Sequence, residues 1–138
     1  MSASAPLSGT AIWLTRPATQ GKFLAQTLEA LGARVLQLPM LQIRPLIPLQ
    51  DCKRKLKNLD QYDLVFYIST NAAMIGLDAI SQWWPQYPPH IQNFTVGPGT
   101  AAVLQAQGLV VSYPDTGMSS EALLALPQLQ DPAGKKVL

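Results

Sequence analysis

Apolar positions along the chain fall into two alternating rhythms, short continuous runs and stripes at helical spacing. Residues 11–14, Ala-Ile-Trp-Leu, form a run that stops at Thr15-Arg16-Pro17, after which Phe23, Leu24, Leu28 and Leu31 recur up to Gly32. That order predicts strand, turn, helix and glycine C-cap. A second run at 34–39, Arg-Val-Leu-Gln-Leu-Pro, predicts another strand. Residues 1–39 therefore form a βαβ unit with parallel strands and a right-handed crossover.

The pattern then breaks. Pro39, Pro45 and Pro48 punctuate an apolar stretch, Met40-Leu-Gln-Ile-Arg, that suits neither a helix nor a central strand. An extended linker at 40–48, with a domain boundary, is the expectation. Beyond it Leu49, Cys52, Leu56 and Leu59 share one helix face, and the basic run Lys53, Arg54, Lys55, Lys57 takes the solvated one.

Residues 64–68, Leu-Val-Phe-Tyr-Ile, are the near-continuous apolar run of a parallel strand covered on both faces. It ends at Ser69-Thr70-Asn71, an N-cap signature, with a helix expected over 72–80. Trp83, Trp84 and the prolines of 85–89 form a loop over a core edge, with the lone His90 beside them. The unit repeats as strand 94–96, turn 97–99, helix 100–107, Gly108 as C-cap and strand 110–113. A last helix opens at Ser119-Ser120-Glu121 and stops at Pro127, and 134–138 has the form of a strand just beginning. The expected fold is α/β, two parallel-sheet domains joined by extended linkers. Both domains are expected to be incomplete, because the chain stops in mid-pattern as a fragment of a longer protein would.

Composition narrows the function classes. With 48% apolar and 13% charged residues in 138 and a mean hydropathy of +0.12, a disordered chain is excluded. The net charge of +2 is too small, and outside the one basic run too scattered, for a nucleic-acid stripe. Cys52 is the single cysteine and His90 the single histidine, so no intramolecular disulfide and no Cys/His metal cluster can form. Residues 1–10 have no basic n-region and no apolar run of signal length, so no secretory leader is expected, and no stretch nears the ~18 apolar residues of a membrane span. A reducing, cytoplasmic location, with no membrane and no nucleic-acid partner, is expected.

No catalytic motif of the common kinds occurs. What recurs is a hydroxyl or amide side chain at the carboxyl end of a predicted strand where a helix begins: Thr15, Ser69 to Asn71, and Thr100. Each has a plain reading as a helix cap. Ligands of open α/β sheets bind at that edge, where helix N–H groups favour anions, so the three together suggest an anion-binding rim. Gly97-Pro-Gly99-Thr-Ala-Ala102 also fits G-x-G-x-x-[GA], with Asp115 after the next strand in place of a ribose-binding acid. The dinucleotide fingerprint, however, normally occupies the first βα turn of its sheet, and this one follows a later strand.

Thr15-Arg16-Pro17, Gly32, Pro39, Tyr62-Asp63 before a strand ending at Ser69-x-Asn71-Ala72, Val96-Gly97-x-x-Thr100-Ala101, Gly108, Ser119-Ser120-Glu121-x-Leu123-Leu124 and Gly134-Lys-Lys-Val137 together resemble the uroporphyrinogen-III synthase family. Two positions depart: Ile68 stands where many members have threonine, which removes one candidate hydroxyl, and Ala73 where valine is usual. The resemblance implies two α/β domains, the first built from both chain termini and the second inserted between, in a chain about twice this length. Residues 1–39 would belong to the first domain, 40–48 to the outgoing linker and 49–138 to the inserted one.

The resemblance further implies a lyase of tetrapyrrole (haem) biosynthesis that cyclises hydroxymethylbilane, a linear tetrapyrrole with eight carboxylates, inverting ring D and losing water. No cofactor and no metal is implied, and the full-length protein is expected to be a monomer. Ser69, Asn71, Gly99 and Thr100 would bind carboxylates from the inserted domain, and Thr15 and Arg16 from the first. No general acid can be named, since the family's candidate tyrosine would lie beyond Leu138. The alternatives are a nucleotide-dependent α/β enzyme using 97–102 and a non-catalytic anion-binding α/β module.

Overall fold

The computed structural model describes residues 5–46 and 50–138. The chain divides into two compact units, Met1–Pro45 and Leu46–Leu138, the division falling inside the proline-punctuated stretch.

In the first unit, β1 (Ala11–Leu14) and β2 (Arg34–Gln37) are parallel, with Ala11 opposite Arg34, and α1 (Ala18–Ala30) connects them. Pro17 precedes the helix with φ −48°. Gly32 follows it at φ +92°, where a Cβ would stand 2.7 Å from the Ala5 Cβ and 3.3 Å from the Ser8 nitrogen. Any other residue there would be strained and crowded together. The ladder continues past the strands, the Leu38 and Met40 N–H groups donating to the Leu14 and Thr15 carbonyls, each at 2.9 Å. Described residues 38–46 carry no helix or strand.

The face α1 buries is not the expected one. Phe23 is 81% exposed and Leu24 and Leu31 are also exposed, while Gly21 and Ala25 are buried and Leu28 is half-buried. At ~100° per residue, positions 21, 25 and 28 form one stripe with Phe23 on the opposite side. Small residues let the helix lie close to its two strands, and closeness outweighs apolar area there.

The second unit runs α2 (Gln50–Lys57), a 3₁₀ turn (Leu59–Gln61), β3 (Leu64–Tyr67), α3 (Thr70–Ser81), β4 (Gln92–Thr95), α4 (Pro98–Ala106), β5 (Val111–Ser112), α5 (Ser120–Leu124) and a second 3₁₀ turn (Pro127–Leu129). The helices thus begin up to two residues before their expected starts. The strands pair in parallel in the order β3-β4-β5. On the free side of β3, Val137 forms a parallel bridge to Leu64, with the Leu138 N–H donating to the Leu64 carbonyl and the Phe66 N–H to the Leu138 carbonyl, both at 2.9 Å.

Successive residues of β3 face opposite sides of the sheet, as strand geometry requires. Val65 and Tyr67 pack with Ala73, Ile80 and Leu104 under α3 and α4; Leu64 and Phe66 pack with Phe94, Leu123 and Leu129 under α5. Phe66 and Phe94, opposite in register, stack with centroids 5.2 Å apart. Helices therefore cover both faces, which explains why residues 64–67 are apolar without alternation; Ile68, expected in the strand, lies beyond its end and is exposed.

At α2 the expected apolar face is only partly used. Leu56 and Leu59 join the core, but Cys52 is exposed, and Leu49 lies outside the described residues. Trp84 closes the core edge, its Nε1 donating to the Leu56 carbonyl at 2.7 Å, and Lys57 stands 4.5 Å over the Trp83 ring. Under α3 and α4 a polar chain is fully bonded: Tyr87 donates to Asn93 Oδ1 at 2.6 Å and lies 3.3 Å from the Tyr67 hydroxyl, and Asn93 Nδ2 donates to the Val110 carbonyl at 3.1 Å. Burial pushes both phenols above the ordinary tyrosine value.

Candidate functional site

The carboxyl ends of β3 and β4 are adjacent, Tyr67 opposite Thr95, and each leads within three residues into a helix. The two helices begin differently. Ser69 is the N-cap of α3, with φ −156°, and its Oγ accepts the Ala72 N–H at 3.1 Å. The hydroxyl proton of Ser69 stays available for donation outward. At α4 the N-cap is Gly97, with no side chain to serve, and Pro98 follows at the first helical turn. The helical ladder starts with the Ala101 N–H donating to the Gly97 carbonyl at 3.1 Å. The Gly99 and Thr100 N–H groups therefore point out of the helix with no side-chain cap.

Nothing lies within 4 Å of a Cβ built on Gly99, so packing does not require glycine at that position. Gly97 differs, because a Cβ there would meet Met118 Cγ at 3.2 Å and Sδ at 3.3 Å. Met118, itself exposed, is a neighbour of the rim that the sequence did not single out. It sits in an irregular stretch between β5 and α5, where no periodicity marks it.

The plain reading of the rim residues as caps holds for Ser69 alone. Thr100 stands in the first turn of α4, beyond the capping position, and Asn71 is half-buried in the first turn of α3. In the first unit Thr15 does not cap α1, whose N-cap is Pro17 without a side-chain bond. Thr15 and Arg16 are both exposed beyond the end of β1, and the Thr15 carbonyl holds the Met40 N–H.

The order of the second unit's sheet, with residues 136–138 on one side of β3 and β4 then β5 on the other, reverses direction beside β3. Ligands of such sheets sit at that reversal, outside the carboxyl ends of the strands. Ser69 lies there, whereas Gly97 to Ala102 follow the next strand over. This disfavours the fingerprint reading on geometry. Among the described residues, no group of three or more His, Cys, Asp or Glu could hold a metal, and no helix is long and apolar enough to cross a membrane.

These features define a parallel α/β chain whose second unit carries Ser69, Gly99 and Thr100 at the carboxyl edge of its sheet. The family model described as uroporphyrinogen-III synthase HemD matches residues 22–138, and the chain belongs to that family. It is 33% identical over 131 residues to the uroporphyrinogen-III synthase of Escherichia coli K12, covering 92% of this chain and 52% of that protein. The enzyme of the same name from Salmonella typhimurium is 34% identical over 128 residues, with the same coverage. That of Synechococcus elongatus is 33% identical over 125 residues, covering 88% of this chain and 47% of its own. The chain thus spans about half the length of these relatives. Among solved structures, the Thermus thermophilus uroporphyrinogen III synthase is similar at 19% identity and a TM-score of 0.46, over 83% of this chain and 46% of that one.

Proposed function

We propose that this protein acts as a uroporphyrinogen-III synthase, cyclising hydroxymethylbilane with inversion of ring D and loss of water. The observation that carries the reading is the pair of helix N-termini on neighbouring strands, one capped by Ser69 and one left bare at Gly99 and Thr100, in a chain of this family. In this reading residues 1–39 belong to one α/β domain, 40–48 form a linker and 49–138 belong to a second. Thr15 and Arg16 from the first and Ser69, Asn71, Gly99 and Thr100 from the second hold the substrate's carboxylates.

The chemistry asks little of acid–base groups. The substrate's hydroxyl takes up a proton and leaves as water, generating an azafulvenium cation on the ring that carried it. Attack through a substituted ring carbon gives a spiro intermediate, which fragments and recloses with ring D inverted. The substrate also closes spontaneously without inversion, so the protein's task is to hold one conformation. Neutral donors suit that task, because they grip carboxylates without setting a strong cation beside the developing carbocation.

The test is the type III to type I ratio of uroporphyrinogen formed from hydroxymethylbilane by the purified protein. Thr100→Val, which keeps the backbone N–H but removes the hydroxyl, is expected to weaken substrate binding by ~1–2 kcal/mol, about a tenfold rise in KM. Unchanged kinetics in both Thr100→Val and Ser69→Ala would reduce these residues to helix-start chemistry.

A further inference from the structure

A cleft of about 250 Å³ opens where the second unit's central strand begins, at the edge opposite the donor rim, lined by Arg54, Lys55, Asn58, Gln61, Tyr62 and Lys136. Every one of these side chains carries a hydrogen-bond donor, three carry a full positive charge, and no carboxylate lines the cleft. They come from separate stretches: the last turns of α2, the 3₁₀ turn and its exit, and the segment that pairs with β3.

Arg54 and Lys55 have a local explanation. Cations near a helix C-terminus complement its exposed carbonyls, and both side chains pair with Asp51, Lys55 at 3.3 Å. Such exposed pairs hold little free energy and yield readily to a stronger anion. Lys136 has no local explanation. Its N–H donates to Asp63 Oδ2 at 2.9 Å, and its carbonyl accepts the Asp63 and Leu64 N–H groups at 2.9 and 3.2 Å, so its backbone is fixed beside the start of β3.

The neighbouring Lys135 takes the Asp63 carboxylate, at 3.7 Å, while the Lys136 ammonium makes no ion pair with any described residue. The side-chain amides of Asn58 and Gln61 and the Tyr62 phenol likewise have no hydrogen-bond partner among the described residues. An array of donors on one cavity, with one of its three cations unpaired, the other two weakly paired and all of the neutral donors unengaged, has the chemistry of an oxyanion receptor.

We propose that this cleft is a second anion site, which takes a small multivalent oxyanion whose phosphate or carboxylate groups bridge Lys136 to Arg54 and Lys55. It is separate from the rim: Tyr62 and Ser69 stand at opposite ends of β3, about 20 Å apart at the rise of an extended strand. The volume suits an anion the size of pyrophosphate or citrate. Such a ligand ties α2 to the segment at 136–138 and so stabilises the native unit by mass action.

The purified protein titrated calorimetrically with pyrophosphate, and separately with citrate, at ~150 mM salt should bind at least one of them. Pyrophosphate alone assigns phosphate chemistry, citrate alone assigns polycarboxylate chemistry, and either supports the site. Lys136→Gln should weaken binding ~10-fold and Asn58→Ala a few-fold, while Ser69→Ala leaves it unchanged. No binding of either probe up to ~10 mM overturns the proposal. So does binding indifferent to both cleft variants, or binding lost in Ser69→Ala, which would place the anion at the rim.

Discussion

The two units build the same βαβ pattern and bury it differently. Among the described residues of the first, Leu14, Ala25 and Ala33 are the buried apolar side chains, and Trp13, Phe23 and Leu36 are exposed. In the second, helices cover both faces of the sheet, and Phe94, Leu59 and Leu104 are completely enclosed. A two-stranded sheet with one helix has a single inner surface, and small side chains fill it. A wider sheet with helices on both faces has two. Large apolar residues therefore contribute to the packing of the second unit and add little to that of the first.

The sharpest way to break this comparison is to delete a phenyl ring from each. Phe94→Ala should cost ~3–5 kcal/mol in urea unfolding, through the lost ring and the cavity beside Phe66, whereas Phe23→Ala should stay within ~0.5 kcal/mol. Comparable losses would mean that the first unit's own packing uses Phe23 after all. The next effect belongs to the polar chain under α3 and α4. Tyr87→Phe removes the donor to Asn93 Oδ1 and leaves a buried acceptor unsatisfied, an expected loss of ~1–3 kcal/mol. A neutral result would show that Asn93 finds another partner.

Smaller still is the contrast between the two helix starts of the second unit. Ser69→Ala removes a cap and should destabilise by ~1 kcal/mol, while Thr100→Ala, which removes no cap, should leave thermal stability unchanged and alter only ligand binding. Equal thermal losses would erase the distinction between a capped and a bare N-terminus.

What the sequence disclosed and what it withheld divide along the same physical line. β3 was legible because burial on both faces leaves an uninterrupted apolar run, and α3 because Ser69 is a capping residue whose chemistry is local. α4 begins two residues before the sequence predicts, because Pro98, which reads as part of a turn, has the fixed φ that begins a helix. Phe23 and Cys52 fall on the apolar spacing of α1 and α2 and are nonetheless exposed, since periodicity shows where apolar residues fall but not which stripe a partner covers. The basic cleft was illegible for a further reason. Lys136 reaches Arg54 and Lys55 only through the bridge between Val137 and Leu64, a pairing across most of the unit's sequence.

That bridge is also the place where pH should act. The Asp63 carboxyl is held below its ordinary value of 3.8, chiefly by the hydrogen bond from the Lys136 N–H; desolvation opposes this, and the charges of Lys135 and His90 add to the lowering. Because the folded-state value is lowered, the unfolded chain binds the proton more readily. The stabilisation is then fully present above the unfolded value and is lost as the pH falls through the lowered folded one. Protonation of Asp63 should loosen the segment at 136–138 from β3 before the centre of the sheet opens. Hydrogen exchange followed from neutral pH down to ~3 should show the Leu138 amide, which donates to the Leu64 carbonyl, losing protection ahead of the β3–β4 amides. Asp63→Asn keeps an acceptor for the Lys136 N–H but does not titrate, and should abolish that acid-dependent step. If the Leu138 amide of the Asp63→Asn protein loses protection at the same pH as in the parent, the carboxylate is not what ties the segment to the sheet.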